Sequence, residues 1–498
     1  MKKFLAIIAS LALVLGFAAS AFAIHAEIPS ETQAIVAKGS TQITLGGEIR
    51  VRGEYGKNLD MGSNESTGSA AYGGRFGEDN QNSKAYYDTR VRLRLQADVS
   101  KNTTGVIHLE SGEKQTADTY KWGTNGAEKK GIYDEGNAKG SSLYILEAWI
   151  QHKGTGLLGI PAGIKVGHMP LKLGNGLFFD HSKFGDDALV FFMDPTKELH
   201  IGLLTAKFSE GTEAKADDSD AYVGLFVYSP SKGTSISGDV TYVDAKRWPN
   251  LDPNDKGTHL WNFGLRGNAD VGGGLGIRAD IELQRGKTKT EAGDFDDADG
   301  DQTTLKHRGY AYLVGLDYKL DPVKLTLEYA YGSGDASSSK GEMDGKNGAF
   351  VTALSGVQNF TYVYDYRANT AAKIDEAGVT PGSGRGISNT WYVKLGGSTN
   401  LTKDLSALVN IYYLRASKAV AINGAKNADD TPKASKNIGT EIDAKFTYKI
   451  DKNLVYFVEG GYLFAGSAYD YGQAGSATTP LKGSDDAYAI RHGIQLSF

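Results

Sequence analysis

The sequence has no cysteine, which excludes disulfides, thiolate metal sites, cysteine nucleophiles and a lipidated N-terminal cysteine. Beyond the N-terminus no apolar run approaches the ~18 residues of a spanning helix. Mean hydropathy is −0.34, which excludes a bundle of hydrophobic helices. No basic excess exists either: the formal net charge is −5, so the basic stripe that nucleic-acid binding demands is missing. The 9 histidines are scattered without metal-ligand spacing, and neither G-x-S-x-G nor H-E-x-x-H occurs. Gly286-Lys287-Thr288 lacks a P-loop's first glycine, because position 281 is isoleucine. His181-Ser182 is one adjacent pair and does not make a triad. No enzyme and no cofactor is expected. Present in excess are glycine, 64 residues or about 13% against a usual ~7%, and tyrosine, 27 against 5 tryptophans. An all-β chain fits that composition better than the roughly three soluble domains that 498 residues would otherwise suggest.

The N-terminus predicts export. Lys2 and Lys3 precede an apolar run from Phe4 to Phe17, and Ala21-Phe22-Ala23 has the A-x-A cleavage form, so residues 1–23 read as a signal peptide. The rival reading is an uncleaved membrane anchor. Lys2 and Lys3 are the only charges removed, so cleavage takes the net charge from −5 to −7. Residues 24–42 are expected to be a periplasmic segment. Within it, Pro29, Ser30, Gln33 and Gly39 suggest a capped helix over Glu31–Ala37.

From residue 43 to 498 the dominant period is two. Glu48, Arg50, Arg52 and Glu54 alternate with Ile49, Val51, Gly53 and Tyr55; Arg90, Arg92, Arg94 and Asp98 alternate with Val91, Leu93, Leu95 and Val99. Such alternation gives each strand one polar and one apolar face. The pattern predicts eighteen strands, with sixteen as the alternative: 43–55, 85–99, 104–111, 142–152, 162–169, 187–193, 199–208, 219–229 and 234–243, then 258–269, 274–286, 306–319, 323–332, 389–399, 404–416, 437–449, 453–464 and 486–498. Links after even strands are brief, such as Ser100–Thr103, Asp270–Gly273 and Ile450–Lys452. Links after odd strands are usually long, such as 56–84, 112–141 and 333–388. A soluble sandwich has no reason to sort its loops this way. A transmembrane antiparallel β-barrel does, with short periplasmic turns, long extracellular loops and an apolar outer band between aromatic girdles. Tyr310, Tyr318, Tyr329, Tyr331, Tyr448 and Tyr462 share the outward parity near strand ends. Tyrosine is also simply a good strand residue, the plainer explanation.

The last strand places Tyr488, Ile490, Ile494, Leu496 and Phe498 on one face. Arg491-His492-Gly493-Ile494-Gln495-Leu496-Ser497-Phe498 resembles the assembly signal of bacterial outer-membrane proteins, in which Gly493, Leu496 and Phe498 hold the glycine, hydrophobic and aromatic positions. The mature chain as a whole resembles an outer-membrane porin of the eighteen-stranded alginate-export type. The matching stretches are Gly47-Glu48-Ile49-Arg50-Val51-Arg52, Glu147-Ala148-Trp149-Ile150 leading to Gly167-His168-Met169-Pro170, Phe184-Gly185-Asp186-Asp187-Ala188, Gly439-Thr440-Glu441-Ile442-Asp443 and Gly461-Tyr462-Leu463-Phe464-Ala465-Gly466. The resemblance implies a passive channel in a Gram-negative outer membrane, with a charged, often arginine-rich lumen. It also implies contact with outer-membrane lipid and lipopolysaccharide, insertion by the barrel-assembly machinery, small hydrophilic solutes as cargo and possible homo-oligomers.

Parity places Arg50, Arg52, Arg90, Arg92, Arg94 and Arg491 on one lumen wall, since charge facing acyl chains costs roughly 2–4 kcal/mol per Arg or Lys at the midplane. Two roles compete for these arginines: an anion filter, or a structural salt-bridge ladder with Glu48, Glu54, Asp98 and Glu110. Other inward candidates, among them Lys165, Arg266, Asp280, Glu282, Glu328, Glu441, Asp443, Lys445 and Glu459, are mixed in sign. The link 170–186 differs from its polar fellows. Leu177, Phe178, Phe179 and Phe184, with Asp180, His181 and Lys183, need a surface to bury them, so the loop is expected to fold inward as a constriction or to pack on a partner barrel. The acidic stretch 293–301 offers Asp297, Asp299 and Asp301 as a weak Ca²⁺ candidate. It fails as an EF-hand, because with Gly300 at position six the first and twelfth positions are Phe295 and Lys306. A solvated acidic loop is the preferred reading. Three functions remain open: a passive channel for small, possibly anionic solutes; an export channel for an acidic exopolysaccharide; and an outer-membrane enzyme or adhesin using the link 333–388, whose Gly, Ser and Ala content reads as surface loop.

Overall fold

The computed structural model describes residues 34–38, 41–59, 83–112, 120–121, 142–156, 159–210, 218–246, 257–289, 304–335, 345–352, 360–367, 386–427, 431–470, 483 and 485–498. The signal peptide and the whole acidic stretch 293–301, with the candidate residues Asp297, Asp299 and Asp301, lie outside them.

Eighteen antiparallel strands close into one barrel: β1 (Thr41–Lys57), β2 (Ser83–Ser100), β3 (Thr103–Gly112), β4 (Ser142–Gly154), β5 (Ala162–Met169), β6 (Asp186–Met193), β7 (Leu199–Ser209), β8 (Ser219–Ser231), β9 (Thr234–Ala245), β10 (Gly257–Gly272), β11 (Leu275–Lys289), β12 (Thr304–His307 and Tyr310–Leu320), β13 (Val323–Gly332), β14 (Thr390–Asn400), β15 (Leu405–Lys426), β16 (Pro432–Asp451), β17 (Leu454–Ala465) and β18 (Ala487–Ser497). Each pairs with its neighbour in sequence, and β18 returns to β1 in the register Leu496↔Ile49, Ile494↔Val51 and Ile490↔Tyr55. Every backbone donor and acceptor in the wall can then bond within the wall, the condition for crossing a membrane with strands. Links at the periplasmic end are as short as 232–233, 273–274 and 452–453.

The alternation sorts the faces as expected. Ile49, Val91, Leu93, Leu203, Leu265, Ile281, Leu327 and Ile494 are exposed on the outside, where lipid covers them. Their sequence neighbours Arg50, Arg90, Arg92, Arg266, Asp280, Glu282 and Glu328 are buried inside. Tyr310, Tyr318, Tyr448 and Tyr462 are exposed on the outer face, as the girdle reading requires.

The seam has a defined fit. Gly47 on β1 accepts and donates backbone bonds with Phe498 (2.6 and 3.0 Å). A Cβ at Gly47 would lie 2.6 Å from Cζ of the Phe498 ring, so the ring rests on the bare glycine backbone.

Several elements differ from the sequence expectation. The helix over Glu31–Ala37 is not formed where the chain is described: Ala34–Lys38 is a strand paired antiparallel with Thr41–Leu45. The reason is the seam's offset. The C-terminal end reaches β1 only from Gly47 upward, so the lower end of β1 has an open edge that this segment covers. β15 and β16 run well past 416 and 437 into a tall hairpin interrupted by register shifts, so much of the expected loop 417–436 is strand. β12 is broken at Arg308-Gly309, where the two-residue strand Lys346–Asn347 pairs in parallel with its upper part.

Candidate functional site

Arg50, Arg52, Arg90, Arg92 and Arg491 are buried on the inner face. Wall carboxylates take most of their contacts, and half-buried Arg94 also donates to Gln96 Oε1 at 3.1 Å. Arg52 Nε reaches both oxygens of Asp88 (2.8 and 2.9 Å) and lies 3.2 Å from Glu54 Oε1. Arg90 donates from Nε (2.8 Å) and Nη2 (2.5 Å) to Glu48 Oε1, and Arg92 donates to Glu110. Arg94 lies 3.5 Å from Glu147, which also accepts from His108 and from the Trp149 indole. Arg491 bonds Glu459 and lies 3.7 Å from Glu54. Arg50 sits buried in the same wall, directly across from Arg90. The geometry therefore matches the ladder expected with Glu48, Glu54 and Glu110. Asp98 does not join it, bonding Thr104 and Gln96 instead; Asp88, Glu147 and Glu459 take the remaining arginines.

Two segments enter the lumen from the extracellular end. The first is the expected one. Leu173, Leu177, Phe178, Phe179, Asp180 and His181 are buried, with Phe178 and Phe179 fully so. Phe179 packs on Phe208 of β7 at 5.3 Å, and Phe178 meets Phe350 edge-on at 6.4 Å. The tip is tied to the far wall by Asn175, whose backbone N and Nδ2 both donate to Asp280 Oδ2 on β11 (3.1 Å each). Lys172 clips to Asp180 at 2.8 Å, and His181 bonds Asp186 at 2.8 Å. Phe184 departs from the expectation. It is exposed, with Lys183 over its ring at 4.7 Å, so neither residue joins the buried wedge.

The second segment was not foreseen. In the link 333–389, Tyr362–Arg367 forms one π-helical turn, and every residue of it except Tyr366 is buried inside the barrel. Its first amides point at two wall carboxylates: Tyr362 N donates to Asp443 Oδ2 (3.0 Å), while Val363 N and Tyr364 N donate to Glu441 Oε1 (2.5 Å) and Oε2 (2.9 Å). Free backbone N–H groups at the start of a turn attract anions, and here β16 supplies them. At the other end Arg367 donates to Glu54 at 2.8 Å and stacks over Tyr366 at 4.1 Å, beside Arg491. Gly461 on β17 makes the room, since a Cβ there would lie 3.0 Å from Val363 and 3.1 Å from Tyr362. The reading of 333–388 as surface loop is thus corrected for this stretch. The signal that could have found it is Phe360 to Arg367, four aromatic residues in eight, the same apolar criterion that exposed the 170–186 wedge.

The opposite wall balances its charges differently. Arg266 stands among Asp239, Asp280 and Glu282, all buried, and Arg278 bonds Asp317 and Glu328. Lys394 meets Glu328 at 2.7 Å. Back at the seam, Lys445 meets Glu459, the partner of Arg491, at 3.3 Å. Lower down, Lys165 lies 3.9 Å over the Trp149 ring. Among the described residues no group of three or more His, Asp or Glu side chains could hold a metal ion.

A search of curated protein sequences returns no match. Solved structures that resemble the barrel include Pseudomonas aeruginosa OccK9 (OpdG), at 10% identity over 92% of this chain and 98% of that one with a TM-score of 0.49. Acinetobacter baumannii OccAB2 matches at 10% identity over 91% and 98%, with a TM-score of 0.48. Pseudomonas aeruginosa OpdK, solved with vanillate, matches at 9% identity over 91% and 98%, with a TM-score of 0.46. The sequence pattern described as alginate export matches residues 215–480, more than half of the chain. With a closed eighteen-stranded wall, an apolar exterior and a charged interior, the chain belongs to the alginate-export family of outer-membrane β-barrels.

Proposed function

We propose that this protein is a passive outer-membrane channel for small hydrophilic solutes, with the seam arginines giving a modest preference for anions. The observation that carries this reading is the pair of segments, 171–181 and 360–367, fastened inside a charged barrel by Asp280, Glu441, Asp443 and Glu54. Sieving by these segments and the charge of the wall are what such a lumen would apply to a passing solute. Transport down a gradient through such a lumen needs no nucleotide or redox group. Planar-bilayer recording tests it: discrete, steady conductance steps are expected, with competition by small anionic solutes. A barrel that inserts but passes no current at any voltage would remove the channel reading.

The alternative is export of an acidic polysaccharide, favoured by the family match over residues 215–480. A sliding polymer needs guanidiniums available along its path, whereas Arg52, Arg90, Arg92 and Arg491 already hold wall carboxylates. Blockade by a polyuronate at concentrations where the monomer has no effect would favour export.

A further inference from the structure

The outer face carries a charge pattern that the channel does not use. At the extracellular end of β11 and β12, Arg285, Lys287, Lys306 and Arg308 are exposed on the lipid-facing parity, and Lys289 is half-exposed. The inward neighbours Gln284, Thr288, Leu305 and His307 are buried, which fixes the direction. Lys287 stands directly opposite Lys306. Gln284 N bonds Gly309 O, so Arg285 and Arg308 are neighbours as well. Like charges placed opposite each other across a sheet are destabilising unless something screens them. Among the described residues, Arg285 donates only to its neighbour's carbonyl (Gln284 O, 2.5 Å), and Lys287, Lys289, Lys306 and Arg308 have no carboxylate in ion-pair range. The outward acid nearest by register, Asp244, is held by Lys246 (2.8 Å) and His259 (3.2 Å).

What lies beneath fixes the level. Leu283, two residues or about 6–7 Å along the strand below Arg285, is exposed to lipid. Around it runs a belt of outward rings: Tyr242 on Trp261 (4.7 Å), Tyr310 and Tyr312 on Tyr331 (5.7 and 5.3 Å), Tyr329 on Trp391 (6.0 Å) and Trp391 on Tyr413 (5.8 Å). Such a belt marks the headgroup level. The cations therefore stand where the phosphates of outer-leaflet glycolipid lie, with apolar wall below them for the acyl chains.

We propose that Arg285, Lys287, Lys289, Lys306 and Arg308 form a docking site for a phosphorylated glycolipid of the outer leaflet, its phosphates bridging the opposed cations and its acyl chains lying on the β10–β12 wall. Phosphate between two lysines converts a repulsive pair into two attractive ones, and guanidiniums bind it in two-pronged fashion.

The test uses the full chain in detergent micelles, with bound lipid counted by native mass spectrometry. The probes are lipid A carrying its phosphates, the same lipid dephosphorylated, and inorganic phosphate. Wild type is expected to retain phosphorylated lipid A and not the dephosphorylated form. Lys287→Ser/Lys306→Ser/Arg308→Ser should weaken retention on the order of tenfold or more. Lys101→Ser/Lys232→Ser/Lys403→Ser, an equal charge change at periplasmic turns, should leave it unchanged. Heat-modifiable migration confirms that each variant is folded, and the single changes Lys287→Gln and Lys306→Gln stand in if the triple variant is not. Equal retention by wild type and the folded charge variants overturns the proposal. So does displacement by inorganic phosphate at the lipid's own concentration, which makes the site one for free phosphate. The acidic segment 290–303 is the internal rival: if lipid binds only after Asp294, Asp296, Asp297, Asp299 and Asp301 are changed to serine, the chain covers its own cations and the proposal fails.

Discussion

The two segments inside the barrel share aromatic burial and differ in what else holds them. The 171–181 wedge is anchored by aromatic burial, with Phe178 and Phe179 fully enclosed, and Asn175 ties its tip across the lumen to Asp280. The 360–367 turn buries Tyr362, Val363 and Tyr364 as well, and adds directed bonds: three backbone amides on two carboxylates and one guanidinium on a third. A wedge of the first kind answers mainly to shape. A latch of the second kind answers also to charge. One lumen thus has one obstruction set mainly by volume and another set by volume and electrostatics together.

The largest expected effect breaks the wedge. Phe178→Ala/Phe179→Ala removes two buried rings, each worth about 3–5 kcal/mol. Unitary conductance should rise and become noisy, while the heat-modifiable shift survives because wall pairing is untouched. Unchanged conductance would show that the wedge does not narrow the route.

Next comes the latch. Glu441→Gln keeps one acceptor oxygen and aims an NH₂ group at the other amide, with a loss of about 1.5–3 kcal/mol for a hydrogen bond to a charged group. The expected outcome is a second, higher conductance level visited in the same recording, and faster proteolysis within 336–385. Raising salt should increase visits to that level in wild type, and in the Phe178/Phe179 variant as well. Salt that acts on neither chain would mean the latch is not electrostatic.

Replacing Arg367 with methionine is a smaller disturbance, because Arg52 and Arg491 still neutralise Glu54. It should loosen only the end of the turn, raising current noise without a new level. The smallest effect is expected from Arg50→Ser/Arg92→Ser. With the wall charges paired, the anion-to-cation permeability ratio should fall about twofold or less at ~0.01 M salt. The difference should vanish at ~1 M, where the Debye length is ~3 Å. Reversal potentials across a salt gradient read this directly. An unaltered potential at low salt would make the arginines ladder alone.

How much of this was readable from residues depends on how local the signal was. All eighteen wall strands are visible as period-two alternation, because lipid and water impose opposite demands on successive side chains. Inward placement of Arg50 to Arg94 follows from the same rule. The partners were less legible. Glu48 and Glu110 stand opposite Arg92, but Asp98 was expected to pair and Asp88 was not considered, since pairing depends on register and register is fixed by the closed wall. The wedge was visible because 170–186 is short and its aromatics dominate it. The latch was hidden because eight residues were averaged into a long Gly- and Ser-rich link. Ala34–Lys38 was misread as helix because its caps are local, whereas the open edge of β1 that recruits it exists only after the barrel closes.

The height of the wall has its own consequence. β5 and β6 have 8 residues each, against 20 and 22 in the hairpin of β16 and β15. On the outside of the short pair the apolar surface runs only through Ile164 and Val166 and from Leu189 to Met193, and the His168–Asp187 pair (3.0 Å) caps it. Eight residues at about 3.3 Å each, tilted by roughly 40°, span about 20 Å, which is less than the usual apolar band of about 25 Å. Lipid beside this wall must shorten or tilt its chains, at a fraction of a kcal/mol per Å. The protein carries its own thin spot in the membrane, on the side where the aromatic wedge begins.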